Sequence, residues 1–535
     1  MNNNSLYSQF LETATKFPNY IALRFEEKTW TYKEVNKQIQ LTALKLVSLG
    51  VKEKDVITLA LPSSPYSIFL FYAVNLLGAI SFNIHPLLPN SSIEEMMIKA
   101  NSKKLFCLGL QASSLRGTLP NDFEVISINP YSHSALFKKL YFDFKSPKNR
   151  AVISFSKIKK SKKELPIVHI NPLDDAVYLN TGGTSGERKI VRLSNLAINH
   201  IAKNSYQLIG GPYQDIKILT AIPLFHIFGL EMGVHTPFSF GGTSVLELRF
   251  RTKEAIKYIK KGEATVLLGV PSLYKALLSR DAFYGPFLKK QITAFIGGDS
   301  VPTSLIDRWN RIMIQYGSEA RLYEGYGLTE TGVVCVSTKG RNKIGSIGRP
   351  LPGVSLKILD INTHQELPFG EKGEFALGGP SLMNGYLDDD KLNKESFVTL
   401  NNERYFLTKD YGYSDEDGFN FFKERLRRTY KIKGETVCPS DVEDVVLPLE
   451  DVFDAFCYGV KNERDGSAFR LLLVKRDGDH PKSEEEVVKI VREAISAKLE
   501  PVYQPEKIFF IKSLPRTPIG KVDEKELQKL DYLFN

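Results

Sequence analysis

The amino-acid sequence predicts an α/β protein: a large N-terminal domain of α/β sheets that includes a β-rich subdomain, then a small α+β C-terminal domain. Three observations predict it. Short apolar runs alternate with helix-period patterns from the first residues onward, which implies a largely parallel sheet covered by helices. After residue 340 the chain becomes glycine-punctuated and strand-like, as in GSIGRPLPGVSLKILD and GEKGEFALGGP. After FKERLRR (422–428) the alternation restarts on a smaller scale. A chain of 535 residues exceeds what one core organises. The boundaries read as 1–424, with the β-rich part at about 341–424, and 428–535.

In chain order, TYKE places Thr31 and Glu34 as a capping box. Val35, Ile39, Ala43 and Leu46 then recur at helical spacing, and Gly50 follows as a C-cap. DVITLAL (55–61) reads as a strand. SIFLFYAVNLLGAISFNI (67–84) is apolar enough to resemble a membrane span, but Asn75, Gly78, Ser81 and Asn83 interrupt it. A buried helix and a buried strand are therefore expected there, with no transmembrane span. ATVLLGV and ITAFIGG read as buried strands that end in loops; in such sheets ligands gather at strand C-termini. Further on, SDVEDVV offers Ser440 and Glu443 as another capping box. FRLLLVKR reads as a strand, EEEVVKIVREAISAKL as a helix and EKIFFIKSL as a strand. Together they make a compact α+β module.

Composition, 42% apolar and 25% charged, is that of an ordinary globular enzyme. Cys107, Cys335, Cys438 and Cys457 lie far apart without a CxxC pair. That argues against a zinc site or disulfide framework and fits a reducing cytoplasm. MNNNSLYSQFLE lacks a charged start before an apolar block, so no signal peptide is expected. Part of the net charge of +10 falls in the run KSPKNRAVISFSKIKKSKKE from Lys145. It reads first as a solvated loop; attraction to anionic substrates or a membrane surface is the sharper reading, which leaves peripheral membrane contact open. No common nucleic-acid motif accompanies it, and no nucleic-acid partner is expected.

The stretch YLNTGGTSGERKIVRLSN (178–195) reads as a loop that holds an anion. Gly182, Gly183 and Gly186 allow close backbone approach, and successive N–H groups in such a turn form an anion nest. Thr181, Thr184 and Ser185 add hydroxyls and Lys189 adds charge, so phosphate is the natural guest. GxxxxGK[ST] fails because residues 187 and 188 are Glu and Arg, and GxGxxG fails because residue 181 is Thr. Four more segments accompany it. LYEGYGLTET (322–331) follows a predicted strand and holds an aromatic, a glycine, a hydroxyl and a carboxylate. YFLTKDYGYSDEDG places Asp410 before a turn. ERLRRTYKIKGETVCPSDVE joins clustered base to a helix start, and PRTPIGKVD carries Lys521 on a glycine turn.

These five segments, in this order, resemble the adenylate-forming superfamily of acyl- and aryl-CoA ligases, luciferases and peptide-synthetase adenylation domains. The resemblance covers essentially the whole chain. It implies that a carboxylate attacks the α-phosphate of ATP to give acyl-AMP and pyrophosphate, and that a thiol then displaces AMP. Charge is the physical problem, so neutralisation and alignment must do the work. On this resemblance Thr181, Gly182, Gly183, Thr184, Ser185, Gly186 and Lys189 would hold the β- and γ-phosphates. Thr329 would bond the α-phosphate, and Glu330, with Thr184, would hold Mg²⁺. Tyr326 and Gly327 would lie against the adenine, with Gly297, Gly298 and Asp299 as the adjoining wall. Asp410 would accept ribose hydroxyls with Arg425 close by, and Lys521 would bridge carboxylate and phosphate oxygens. The small domain would be mobile about a hinge at 425–427, with Arg427 as the hinge residue. Its rotation would bring Lys431, Lys433 and Gly434 to the pantetheine channel of CoA. His226, in PLFHIFGL, would lie near the substrate carboxylate. That segment lacks the Asp of amino-acid-activating domains; Phe225, Phe228, Gly325 and Gly327 suggest an apolar pocket for a fatty or aryl acid.

The sequence departs from the family pattern in places. Gly182 and Ser185 are mild changes, Arg188 replaces Pro, Ile190 replaces Gly and Asn195 stands where His is frequent. Lys409 replaces the Gly of TGD and is strained if that position needs a positive φ. Glu424 replaces Gly, and Arg427 stands where Asp or Lys is commoner. Glu330, Asp410, Arg425 and Lys521 are retained, so an active acid–thiol ligase is expected, using ATP, Mg²⁺ and CoA. Two alternatives stand beside it. The acceptor could be the phosphopantetheine arm of a carrier protein, or the chain could be a degenerate nucleotide- or acyl-binding protein without turnover.

Overall fold

Thr31 opens the helix Tyr32–Ser48 in the way its sequence dictates. Its hydroxyl accepts the Glu34 N–H, and the Glu34 carboxylate accepts the Thr31 N–H at 2.8 Å. Val35, Ile39, Ala43 and Leu46 are fully buried along one face. Leu49 caps the end and Gly50, at φ 73°, takes the left-handed step that stops the helix. The computed structural model describes the chain apart from residues 1–4, 135, 182–187, 299–300, 434, 463–465, 477–481, 516–521, 523–525 and 528–535, and the side chains of 435, 462 and 466. The chain forms two compact units, one of residues 1–356 and 377–406, the other of 357–376 and 407–535.

The larger unit carries two sheets. In the eight-stranded sheet the strands Asp175–Thr181, Ile80–Asn83, Val56–Ala60, Lys104–Leu108, Glu124–Ile128 and Ile153–Ser154 lie side by side and parallel. Lys189–Ser194 and then Gly385–Tyr386 extend it antiparallel beyond Asp175–Thr181. In the nine-stranded sheet Leu322–Leu328, Thr293–Ile296, Val266–Gly269, Lys217–Thr220, Thr243–Leu246 and Ile21–Phe25 form the parallel body. The apolar 67–84 stretch resolves into the buried helix Pro65–Leu76 and the buried strand Ile80–Asn83. Among the described residues no helix is long and apolar enough to cross a membrane.

The smaller unit has its own core. Strands Val452–Asn462 and Gly466–Lys475 pair antiparallel, and Lys507–Phe510 joins parallel. Val442, Val446, Leu471, Leu473, Val491 and Ile495 pack between this sheet and the helices Pro439–Val446 and Glu484–Lys498.

Three local expectations are corrected. LYEGYGLTET does not follow a strand: Leu322–Leu328 is the strand, because it is paired on both sides, parallel to Thr293–Ile296 and antiparallel to Gly332–Val336. Asp410 does not precede a turn directly; it is an interior residue of the strand Glu403–Ser414, held there by pairing with Asn420–Arg425. Ser440 and Glu443 form no capping box. Pro439 at the first helical position starts the helix earlier, with Cys438 as N-cap. Ser440 instead donates to the Lys423 carbonyl at 3.0 Å, and Glu443 turns to the Arg428 guanidinium at 3.0 Å. All four cysteines are buried thiols without a disulfide. Burial pushes Cys107 and Cys438 up to about 12, and raises Cys335 and Cys457 as well.

Candidate active site

In the larger unit the expected phosphate loop is flanked by two paired antiparallel strands. Thr181 lies opposite Lys189 in the register of Asp175–Thr181 and Lys189–Ser194, so both ends of the loop are fixed by strand pairing. Gly182, Gly183, Thr184, Ser185 and Gly186 lie outside the described residues. The root of the strand pair is pinned by Asp175. Its carboxylate accepts from Arg192 Nε at 2.8 Å, from the Tyr178 hydroxyl at 3.0 Å and from Asn384 Nδ2 at 2.7 Å.

Tyr386 joins two of the candidate residues. The Lys189 ammonium stands 5.3 Å from its ring centroid, a cation–π distance. The Tyr386 hydroxyl donates to Glu330 Oε1 at 2.8 Å. Burial first, and then the adjacent Glu330 charge, raises the Tyr386 hydroxyl, so it remains a neutral donor. Glu330 and Thr329 are half-buried in the tight turn between Leu322–Leu328 and Gly332–Val336. The turn is closed by Thr331 N–H to the Leu328 carbonyl at 3.2 Å, and the Glu330 carbonyl accepts the Met383 N–H at 2.8 Å. Lys189 and Glu330 are thus brought together by a residue the sequence reading missed. No spacing rule marks Tyr386; its place comes from a two-residue strand paired with Lys189–Ser194.

The glycines of the expected adenine wall are required by packing. A Cβ on Gly297 would stand 2.4 Å from the Gly325 carbonyl oxygen, and one on Gly327 would stand 2.1 Å from the Gly332 oxygen. Gly298 has φ +79°. These strand ends form a floor beside the half-buried Tyr326, which pairs with Cys335. Asp299 lies outside the described residues.

His226 is exposed at the start of the short helix Ile227–Leu230. The Phe225 ring lies tilted, its centroid 4.9 Å from that of His226 and 4.6 Å from that of His85, which the sequence does not mark. Partial desolvation, then repulsion from His85, lowers the His226 imidazole; desolvation, then Arg188, lowers His85. Both rings are therefore set to be neutral at pH 7. Beside them is a cavity lined by Leu59, Leu61, Phe71, Asn83, Leu224 and Leu230.

Beneath the Glu330 turn lies a buried acid. Glu231, 1% exposed, accepts the Val333 N–H at 3.0 Å, and burial pushes its carboxyl up to about 8. It opens a π-helical turn, Glu231–His235. His235 at the other end is fully buried between the Tyr72 hydroxyl and Asn199 Oδ1, each at 2.8 Å. Asn199 Oδ1 accepts from Nε2–H, leaving Nδ1 to accept from Tyr72.

In the smaller unit Asp410 and Arg425 face each other across paired strands. Arg425 Nε stands 2.8 Å from the fully buried Asp410 carboxylate, while Arg425 itself is exposed. Lys409 has φ 60°, in the left-handed region, and its N–H donates to Glu374 Oε1 at 2.7 Å. Lys431 and Lys433 are exposed on the hairpin Tyr430–Ile432/Glu435–Val437, with Lys433 at φ 51°. Arg427 is exposed in a single 3₁₀ turn, Leu426–Arg428. Gly434 and Lys521 lie outside the described residues.

Among the described residues no three His, Cys, Asp or Glu gather as a metal cage. Glu330 offers a single hard carboxylate in a turn. That donor set fits Mg²⁺, which takes one or two protein carboxylates and completes its shell with water and phosphate oxygens.

Comparison with known proteins gives the family and the fold. The family model described as AMP-binding enzyme matches residues 10–387, and that of the AMP-binding enzyme C-terminal domain matches 441–521. The chain is 26% identical to a long-chain-fatty-acid–CoA ligase of Bacillus subtilis, with 98% of this chain and 94% of that one covered. It is 25% identical to 4-coumarate–CoA ligase 2 of Solanum tuberosum, over 94% of this chain and 89% of the other. Among solved structures, ATP-bound MatB from Rhodopseudomonas palustris matches with a TM-score of 0.83 at 19% identity, both chains covered in full. The α/β architecture with a small α+β C-terminal part is the fold shared with such structures.

Proposed function

This chain belongs to the AMP-binding enzyme family, and on that premise we propose that it activates a fatty or aryl carboxylic acid with ATP and passes the acyl group to the thiol of CoA. The observation that carries the reading is the convergence of Lys189 and Glu330 on Tyr386 at the end of the strand pair that flanks the phosphate loop. A cation and a carboxylate held around one phenol, beside a glycine floor, suit a magnesium nucleotide.

In the first step a carboxylate oxygen of the acid bonds to the α-phosphorus of ATP, and the bond to pyrophosphate breaks. Mg²⁺, when bound with the nucleotide, supplies charge neutralisation on its phosphates. Lys189 and the loop N–H groups hold the pyrophosphate end, Thr329 orients the α-phosphate, and Tyr386 fixes the Glu330 carboxylate that would hold the ion. Tyr326 and the Gly297/Gly325 floor receive the adenine, the Asp410–Arg425 pair the ribose, and Lys521 the oxygens between acid and phosphate. In the second step the thiol sulfur bonds to the acyl carbon and AMP leaves, after the small domain turns about Arg427 and presents Lys431, Lys433 and Gly434. Neutral His226 and the apolar Phe225 and Phe228 of its segment favour an uncharged acyl body. The relatives, a long-chain-fatty-acid–CoA ligase and a 4-coumarate–CoA ligase, are both named for CoA as acceptor and support the same range of acids. They lend the carrier-protein alternative no support.

The test is acid-dependent ATP–pyrophosphate exchange across fatty acids, benzoates, cinnamates and amino acids. Exchange is expected with one fatty or aryl class, and Lys521→Ala should lower it by about 10²–10³-fold. Adding CoA should then yield the thioester. ATP binding without exchange for any acid would return the chain to a binding role.

A further inference from the structure

The helix Leu136–Lys145 presents its apolar face to solvent. Leu136, Phe137, Leu140, Tyr141 and Phe144 fall on one arc at helical spacing, and they are 57% to 84% exposed. Phe142 is the helix's one buried residue, packed near Tyr131, and Lys138 pairs with Glu26 beneath. An apolar arc this continuous is not an ordinary solvated surface.

The chain that follows is uniformly basic. Eight of the 19 residues from 145 to 163 are Lys or Arg and none is Asp or Glu; all eight basic residues are exposed. Helix and run lie at one edge of the eight-stranded sheet, since the helix connects Glu124–Ile128 to the outermost strand, Ile153–Ser154, and the run flanks that strand on both sides. We propose that this edge docks on an anionic lipid bilayer, the apolar arc entering the headgroup–acyl boundary and the lysines meeting lipid phosphates. Aromatic and leucine side chains backed by Lys and Arg are what an interfacial helix uses, and a polybasic segment adds attraction to anionic lipid. The same charge repels a second copy of this edge. This docking is independent of the proposed reaction.

The test is co-sedimentation of the full chain with vesicles of phosphatidylcholine alone and of phosphatidylcholine with phosphatidylglycerol. Binding is expected to the anionic vesicles only, and to weaken as NaCl is raised. Lys159→Gln/Lys160→Gln/Lys162→Gln should lower the partition coefficient by about 100-fold, and Phe137→Ser/Phe144→Ser by about tenfold or more. Thermal unfolding should stay unchanged in both variants, because all five side chains are exposed. No sedimentation of wild type with anionic vesicles overturns the proposal, as does binding that both variants retain. A wild-type dimer in sedimentation equilibrium that Phe137→Ser/Phe144→Ser dissociates also overturns it, in favour of a second copy on this face.

Discussion

A Tyr386→Phe change removes one hydroxyl and leaves the ring under Lys189. Glu330 then loses the donor at 2.8 Å, a hydrogen bond to a charged group worth about 1.5–3 kcal/mol. Exchange should fall about 10- to 100-fold with a raised Mg²⁺ requirement and little change in KM for the acid; an unchanged Mg²⁺ dependence would deny Tyr386 its positioning role. Lys409 makes the opposite kind of prediction. Its φ of 60° costs a non-glycine residue about 1–2 kcal/mol, while glycine costs about 0.5–1 kcal/mol in chain entropy. Lys409→Gly should therefore stabilise by about 0.5 kcal/mol, seen as a raised urea midpoint. That strain was legible in the sequence, because a lysine stands where the family pattern has glycine. Tyr386 and His85 were not legible, because each gains its role from neighbours distant in the chain, Lys189 and Glu330 for Tyr386 and Phe225 for His85.

Buried titratable groups at the two ends of one π-helical turn give that element opposed pH responses. Burial lowers His235 to about 3, against about 6.5 for an exposed histidine. The unfolded chain gains this proton first, so the stability His235 contributes is full above about pH 6.5 and falls by about 2 kcal/mol by about pH 5. Glu231 is raised to about 8, so the folded chain keeps a proton that the unfolded chain releases near pH 4.3. Its contribution falls as pH rises from about 4.3 to about 8. Glu231→Gln should thus gain stability relative to wild type as pH rises from about 5 to about 8, measured by urea denaturation at each pH; a constant difference would mean Glu231 is ionised when folded. Elements elsewhere were legible from caps and periodicity, as with Thr31 and the buried face of Tyr32–Ser48. The Ser440 box failed because Pro439 sets the helix start and Arg428 takes Glu443. A pattern three residues long does not record which distant charge will compete for its members.

Across the whole molecule the candidate residues are divided, Lys189, Tyr326 and Glu330 in the larger unit, Asp410, Arg425 and Lys431 in the smaller. The class of fold was legible from the β/α alternation, and the order of five motifs was legible because Glu330, Asp410, Arg425 and Lys521 are kept despite the changes at Arg188, Lys409 and Glu424. The two separate large sheets were not, because strand order depends on pairings between distant segments, such as Ile21–Phe25 with Thr243–Leu246. If the smaller domain turns about Arg427, fixing φ there should separate the half-reactions. Arg427→Pro should keep exchange within about twofold and slow thioester formation about tenfold or more; equal loss of both would remove Arg427 as the hinge. The buried cysteines have a practical corollary. With Cys107, Cys335, Cys438 and Cys457 all shielded and their thiols raised, the native surface offers a thiol-specific dye nothing to react with. Ellman's reagent should find no sulfur in the native chain and four after unfolding. A protein proposed to handle a foreign thiol would then form no mixed disulfide with it, and one cysteine placed in each unit would be a clean pair of handles for watching the domains move.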